Sequence, residues 1–177
     1  NQRDIAGILA MIRHLGATVG VDDKAEEIAS SYEERLNDLQ IKKKYANRPR
    51  VYFEEWDSPM ITGIRWVSEM IELAGGHDVF FELSGNEAAV KRIVTSEQII
   101  KASPDIIVAS WCGKKVRPET FYEREGWSAV PAVKKNNIHE IKSSLILQPG
   151  PAALTDGLDK LVQIFDSYES DKHNLIY

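Results

Sequence analysis

The chain has 177 residues, of which 43% are hydrophobic and 28% charged. That length suits one compact domain, and the mixture favours a packed core over disorder. A formal net charge of −5 offers no basic face for nucleic acid, and no apolar run approaches the roughly 18–20 residues that span a bilayer. The longest such run, around Ile5 to Leu15, is broken by Arg13 and His14. The opening residues show no secretory signal, as expected also of a mature exported protein. A single cysteine, Cys112, excludes an internal disulfide.

Ile5, Ile8, Leu9, Ile12, Leu15 and Val19 recur at helical spacing and predict an amphipathic helix over 3–19. Gly16 and Gly20 weaken its end, and Gly20 is its expected stop. Asp22 and Asp23 open a second helix, with Ala25, Ile28, Ala29, Tyr32, Leu36 and Leu39 as its stripe. That pattern runs to about Ala46, roughly 25 residues or ~37 Å. A narrow stripe between charged faces predicts a helix that lies along a surface or bridges parts of a protein. The basic run Lys42-Lys43-Lys44 complements the dipole at its end, and Asn47-Arg48-Pro49 stops it.

A strand is predicted from Arg50 to about Trp56, then a turn at Asp57-Ser58-Pro59. Trp66, Val67, Met70, Ile71 and Ala74 mark a helix that Gly75-Gly76 stops, and Val79-Phe80-Phe81 reads as a short strand. Thr95 and Gln98 form a capping box for a helix ending near Ser103-Pro104. Residues 105–109 are almost continuously apolar and predict a strand buried on both faces of a parallel sheet. A polar loop is expected from Trp111 to Arg117, and Pro118 fits the first turn of a short helix. Asn136-Asn137 is a turn, 138–141 a short strand and 142–150 a loop. Pro151 opens the last helix, striped by Leu154, Leu158, Leu161, Val162 and Phe165, with a fraying tail from Asp166. The alternation predicts an α/β fold, a parallel sheet with helices on both faces, beginning near residue 50.

In such sheets ligands sit at the carboxyl ends of the strands. Three loops then share a rim: 57–60, 110–115 and 142–148. Trp56 and Trp111 at successive strand ends suit a large, flat, partly apolar ligand, with capping of the core as the alternative. Glu54 and Glu55 point to opposite faces of a strand and cannot form a carboxylate pair. One is expected to be solvated and the other to meet a lysine or arginine. His14, His77, His139 and His173 lack metal-ligand spacing, and Cys112 has no evident base. Neither catalysis nor a cofactor is indicated.

The run Tyr52-Phe53-Glu54-Glu55-Trp56-Asp57-Ser58-Pro59-Met60, then Glu72-Leu73-Ala74-Gly75-Gly76, resembles the start of the C-terminal lobe in cobalamin- and siderophore-type periplasmic binding proteins. These are the helical-backbone (class III) substrate-binding proteins of ABC importers. Ser96-Glu97-Gln98-Ile99-Ile100, Ser103-Pro104-Asp105-Ile106-Ile107, Val130 to Asn136 and Pro149-Gly150-Pro151 are similar to later landmarks of that family. The resemblance covers about residues 5–165. It implies a helix at 1–21 leading out of an N-terminal lobe absent from this chain, an inter-lobe helix at 22–48, and a Rossmann-like C-terminal lobe at 49–177.

In that family the ligand lies between two lobes, so Trp56, Met60, Trp111, Lys114 and Ser144 are expected to line this half. The resemblance implies a corrinoid, ferric siderophore or haem as ligand. The cobalamin binder's tryptophan before the docking helix is replaced here by Ala89-Val90-Lys91-Arg92. Lys91, Arg92, Lys114 and Lys115 favour an anionic ligand, such as a ferric chelate or a corrinoid phosphate. Glu97 matches the carboxylate by which each lobe docks on arginines of the permease; as an acid in a first helical turn it is also favoured by the dipole. A monomer in the periplasm, or at an extracytoplasmic membrane surface with a lipid anchor, is expected. The rival readings are an α/β enzyme domain and an interaction domain using the long helix.

Overall fold

The computed structural model describes residues 2–42 and 47–174. Helix α1 (Ile5–Val19) starts at Asp4, whose carboxylate accepts from the Gly7 amide, and stops at Gly20 with φ 75°. Gly16 does not weaken this helix. A Cβ there would lie 2.2 Å from that of Ala25, so its bare backbone is what lets α2 (Asp22–Lys42) pack closely on α1. Arg13 ties the resulting hairpin to Glu26 and Glu33, at 2.7 and 3.0 Å. Of the α2 stripe, Ala25, Ala29 and Leu36 are buried. The continuation expected to Ala46, with Lys43 and Lys44, lies outside the described residues.

The sheet contains β1 (Arg50–Asp57), β2 (Met60–Thr62), β3 (His77–Asp78), β4 (Ile106–Ala109) and β5 (Ile138–Glu140). Its order is β2-β1-β4-β5, with β3 also paired to β1. The expected all-parallel sheet is corrected at one strand: β2 runs antiparallel to β1, while β3, β4 and β5 pair in parallel. A two-residue turn through Ser58 and Pro59 can only send the chain back beside the strand it left.

Alternation sorts the strands into two cores. Val51, Phe53, Ile106 and Val108 face a layer that includes α1, α3 (Arg65–Leu73) and α9 (Leu158–Asn174). Tyr52, Ile107 and Ala109 face α5 (Ser96–Ala102), α6 (Glu119–Glu123) and α7 (Pro131–Lys134). The predicted capping box is present, with Gln98 N to Thr95 Oγ1 at 3.3 Å and Thr95 N to Gln98 Oε1 at 2.8 Å.

Three local expectations are corrected. The strand expected at 79–81 sits at His77–Asp78, and Phe81 already begins α4 (Phe81–Ser84). Buried Asp78 accepts the Phe80 amide at 3.0 Å and bends the chain away from the sheet. The loop at 142–150 contains α8 (Ser143–Ile146). The last helical stretch opens at Pro151, passes through a π-turn at Ala153–Gly157 and continues as α9 to Asn174. It does not fray at Asp166, because Tyr168 still packs in the first core.

Candidate functional site

The parallel register aligns Glu54 with Ala109 and Ala109 with Glu140. The chain segments beyond these residues therefore leave the sheet side by side, as the strand-end rule requires. Lys114 joins two of them. Its ammonium lies 4.5 Å from the ring centre of Trp56, 4.9 Å from that of Trp111 and 2.6 Å from Asp57 Oδ1. A cation over two indoles and beside a carboxylate is attracted by all three.

Trp56 is half-buried, and its Nε1 donates to the Ser58 carbonyl at 2.9 Å. Trp111 sits mainly in the second core, only 2% exposed and stacked on Phe121 at 6.0 Å. The expectation of a polar loop from 111 onward is corrected here, since Trp111 and Val116 are both core residues. Met60 opens β2 opposite Asp57 and is half-buried against the second core. Ser144, on α8, shares a concavity of about 430 Å³ with Trp111, Lys114, Lys115, Glu140 and Lys142. Of the predicted residues, Trp56, Trp111 and Lys114 thus form one group, Ser144 shares the concavity with Trp111 and Lys114, and Met60 pairs with Asp57.

Beneath the rim lies a charged network that the sequence did not reveal. Glu54 is fully buried and accepts from Tyr52 Oη (3.0 Å), Trp111 Nε1 (3.1 Å) and both terminal nitrogens of Arg124 (2.6 and 2.9 Å). Each carboxylate oxygen thereby receives two donors. Arg124 is covered by Phe121 and Trp127, each 4.5 Å from its guanidinium carbon. Burial alone would lower the Arg124 pKa, but its hydrogen bonds to Glu54 and that carboxylate's charge raise it. Burial, then the Glu54 charge, pushes the Tyr52 hydroxyl well above its ordinary range.

Glu55 meets Arg92 at 2.7 Å, and Arg92 also reaches the Thr62 carbonyl at 2.5 Å. Two expectations are corrected by these pairs. Neither glutamate is left to solvent, because each has its own arginine. Arg92, 2% exposed, is withdrawn from the rim and cannot greet an anionic ligand.

Glu97 stands apart on the first turn of α5, exposed and without an ion-pair partner among the described residues. Its helix has a definite direction. Val94 N donates to the Met60 carbonyl at 3.0 Å, while the Ala102 carbonyl accepts from the Arg50 side chain. The amino end of α5 therefore lies toward the rim and its carboxyl end toward the opposite edge of the sheet.

Among the described residues, no three His, Cys, Asp or Glu side chains gather into a metal-holding group. Cys112 is an exposed free thiol. No helix among the described residues is long and apolar enough to cross a membrane.

Comparison with known proteins agrees with this architecture. The chain is 25% identical over 151 residues to a vitamin B12-binding protein of Vibrio parahaemolyticus, covering 84% of this chain and 51% of that protein. It is 27% identical over 158 residues to the ABC transporter substrate-binding lipoprotein YvrC of Bacillus subtilis, covering 86% and 48%. The chain thus spans about half the length of these relatives. Its fold matches a possible iron-binding, periplasmic solute-binding protein of Staphylococcus epidermidis with a TM-score of 0.78 at 20% identity, over 93% of this chain and 63% of that one. The family model for periplasmic binding proteins matches residues 1–145. The family is one of binding proteins rather than enzymes, and this α/β chain belongs to it: it is a periplasmic binding protein domain.

Proposed function

We propose that this chain is the C-terminal lobe, with its connecting helices, of the substrate-binding protein of an ABC importer. Its ligand is a large metal chelate of the corrinoid, ferric siderophore or haem class, held between this lobe and a second one and then delivered to a permease. The observation that carries the reading is the rim, where parallel strands end side by side, Trp111 and Lys114 line one open concavity, and Trp56 packs against Lys114. Family membership and the two relatives' names support it.

On this reading α2 is the rigid connector between lobes. The apolar tip of the hairpin, Leu15, Val19 and Val21, each at least half-exposed, is then covered by the second lobe. The protein works in the periplasm or at the outer face of a membrane, where a lipid anchor holds it if it follows its Bacillus relative.

The test is titration of the full-length, two-lobed protein with cyanocobalamin, a ferric siderophore and haemin, followed by tryptophan fluorescence and calorimetry. Binding of at least one class is expected. Failure of all three would overturn the reading.

A further inference from the structure

We infer that the ligand of this lobe is an anionic chelate whose acidic groups are met by Lys115 and Lys142; this rests on the proposed function and narrows its substrate class. The concavity at the ends of β4 and β5 is lined by Lys114, Lys115 and Lys142 against one carboxylate, Glu140. That is a local reversal of sign on a chain whose net charge is −5. Two of the four charges already have partners. Lys114 is held by Asp57 at 2.6 Å, and Glu140 accepts the Val116 amide at 3.1 Å.

Lys115 and Lys142 are exposed and lack an acidic partner among the described residues. When a second lobe closes over the rim, both ammonium groups lose water. A ligand without net negative charge would leave much of that loss uncompensated, whereas the carboxylate or catecholate oxygens of an anionic chelate would replace the water with charge-assisted hydrogen bonds. Three of the other cations near this end of the sheet are already engaged. Arg92 and Arg124 are bound to buried or half-buried glutamates, and Lys114 to Asp57. The hydroxyl-bearing Ser143 and Ser144 complete the lining and can donate to the same oxygens.

The full-length protein is titrated with four probes: ferric citrate and haemin, which are net anionic, cyanocobalamin, which is net neutral, and ferrioxamine B, which is net cationic. The measurement is repeated with K115E/K142E, whose thermal unfolding serves as the folding control. The anionic probes are expected to bind best, to lose affinity as salt rises, and to lose about tenfold or more in the double variant. Preference for a neutral or cationic probe, or unchanged anion affinity in the double variant, would overturn the inference while leaving the chelate-binding function intact. Failure of every probe to bind the parent protein would overturn both.

Discussion

Glu54 carries more of the local structure than any other charged residue at the rim. It is fully buried, and four donors converge on it from β1, the loop after β4 and the residue following α6. Removing only the carboxylate leaves a desolvated guanidinium over two aromatic rings. Glu54→Leu is therefore expected to destabilise the protein by about 3–5 kcal/mol in chemical denaturation. Removing both charges leaves no orphaned guanidinium, although Tyr52 Oη and Trp111 Nε1 still lose their acceptor, so Glu54→Leu with Arg124→Met should recover part of that loss. Equal losses in the single and double variants would show that the pairing with Arg124 is not what Glu54 supplies. The sequence does reveal that Glu54 and Glu55 face opposite ways, because strand geometry is local. It does not reveal their partners, which lie 70 and 37 residues further along the chain and are brought in only by folding. His139 makes a second residue-scale test. Burial lowers its pKa from 6.5, so the folded state holds fewer protons than the unfolded one just below that value. Its contribution to stability is present above 6.5 and is lost as pH falls from 6.5 through the lowered folded value. His139→Gln should flatten that part of a stability–pH curve; an unchanged slope would assign it to other groups.

At the scale of elements, the α1–α2 hairpin shows how one atom sets a helix spacing. Alanine at position 16 would gain about 1 kcal/mol in helix propensity. Its Cβ would also lie 2.2 Å from that of Ala25, whose own Cβ is fixed to a helical backbone and cannot swing aside. Overpacking of that kind costs about 1–3 kcal/mol, so Gly16→Ala should destabilise on balance despite the better propensity. Exchanging the two residues, Gly16→Ala with Ala25→Gly, restores the gap and should return the denaturation midpoint close to that of the parent. A more stable single variant would show that the helices simply move apart. Periodicity finds both helices but misreads Gly16 as a weakness, since a helix pattern says nothing of what lies across it. The same limit explains the tail: polarity after Asp166 suggests fraying, yet Tyr168 reaches the core. By contrast, the capping box at Thr95 is legible in full because all its partners lie within one turn.

For the whole molecule, strand-helix alternation and the buried run at 105–109 make the fold class legible, and the strand-end rule locates the rim. The antiparallel β2 is the one departure in strand direction, and it follows from a turn too short to cross over. The rim's chemistry is less legible, because Lys114, Trp56 and Asp57 meet only once β1 and the loop after β4 are aligned. Alignment of the sheet also orients Glu97. The amino end of α5 lies toward the same rim, so the docking role that the family resemblance implies for Glu97 would put permease contact and ligand opening on one side of the lobe. A permease that meets Glu97 is then placed to receive what leaves the concavity. If Glu97 docks in that way, Glu97→Lys should lower uptake by the full-length protein and its transporter by about tenfold or more, because a like charge would then face the arginines expected of the permease. Ligand affinity should stay unchanged, since Glu97 stands apart from the concavity lining. Thr95 and Gln98 supply the helix cap without it, so stability should change little; the first-turn carboxylate itself is worth only about 0.3–1 kcal/mol. A permease variant with the facing arginine reversed to glutamate should restore uptake to Glu97→Lys, whereas uptake unaffected by the first substitution would place docking elsewhere on the lobe.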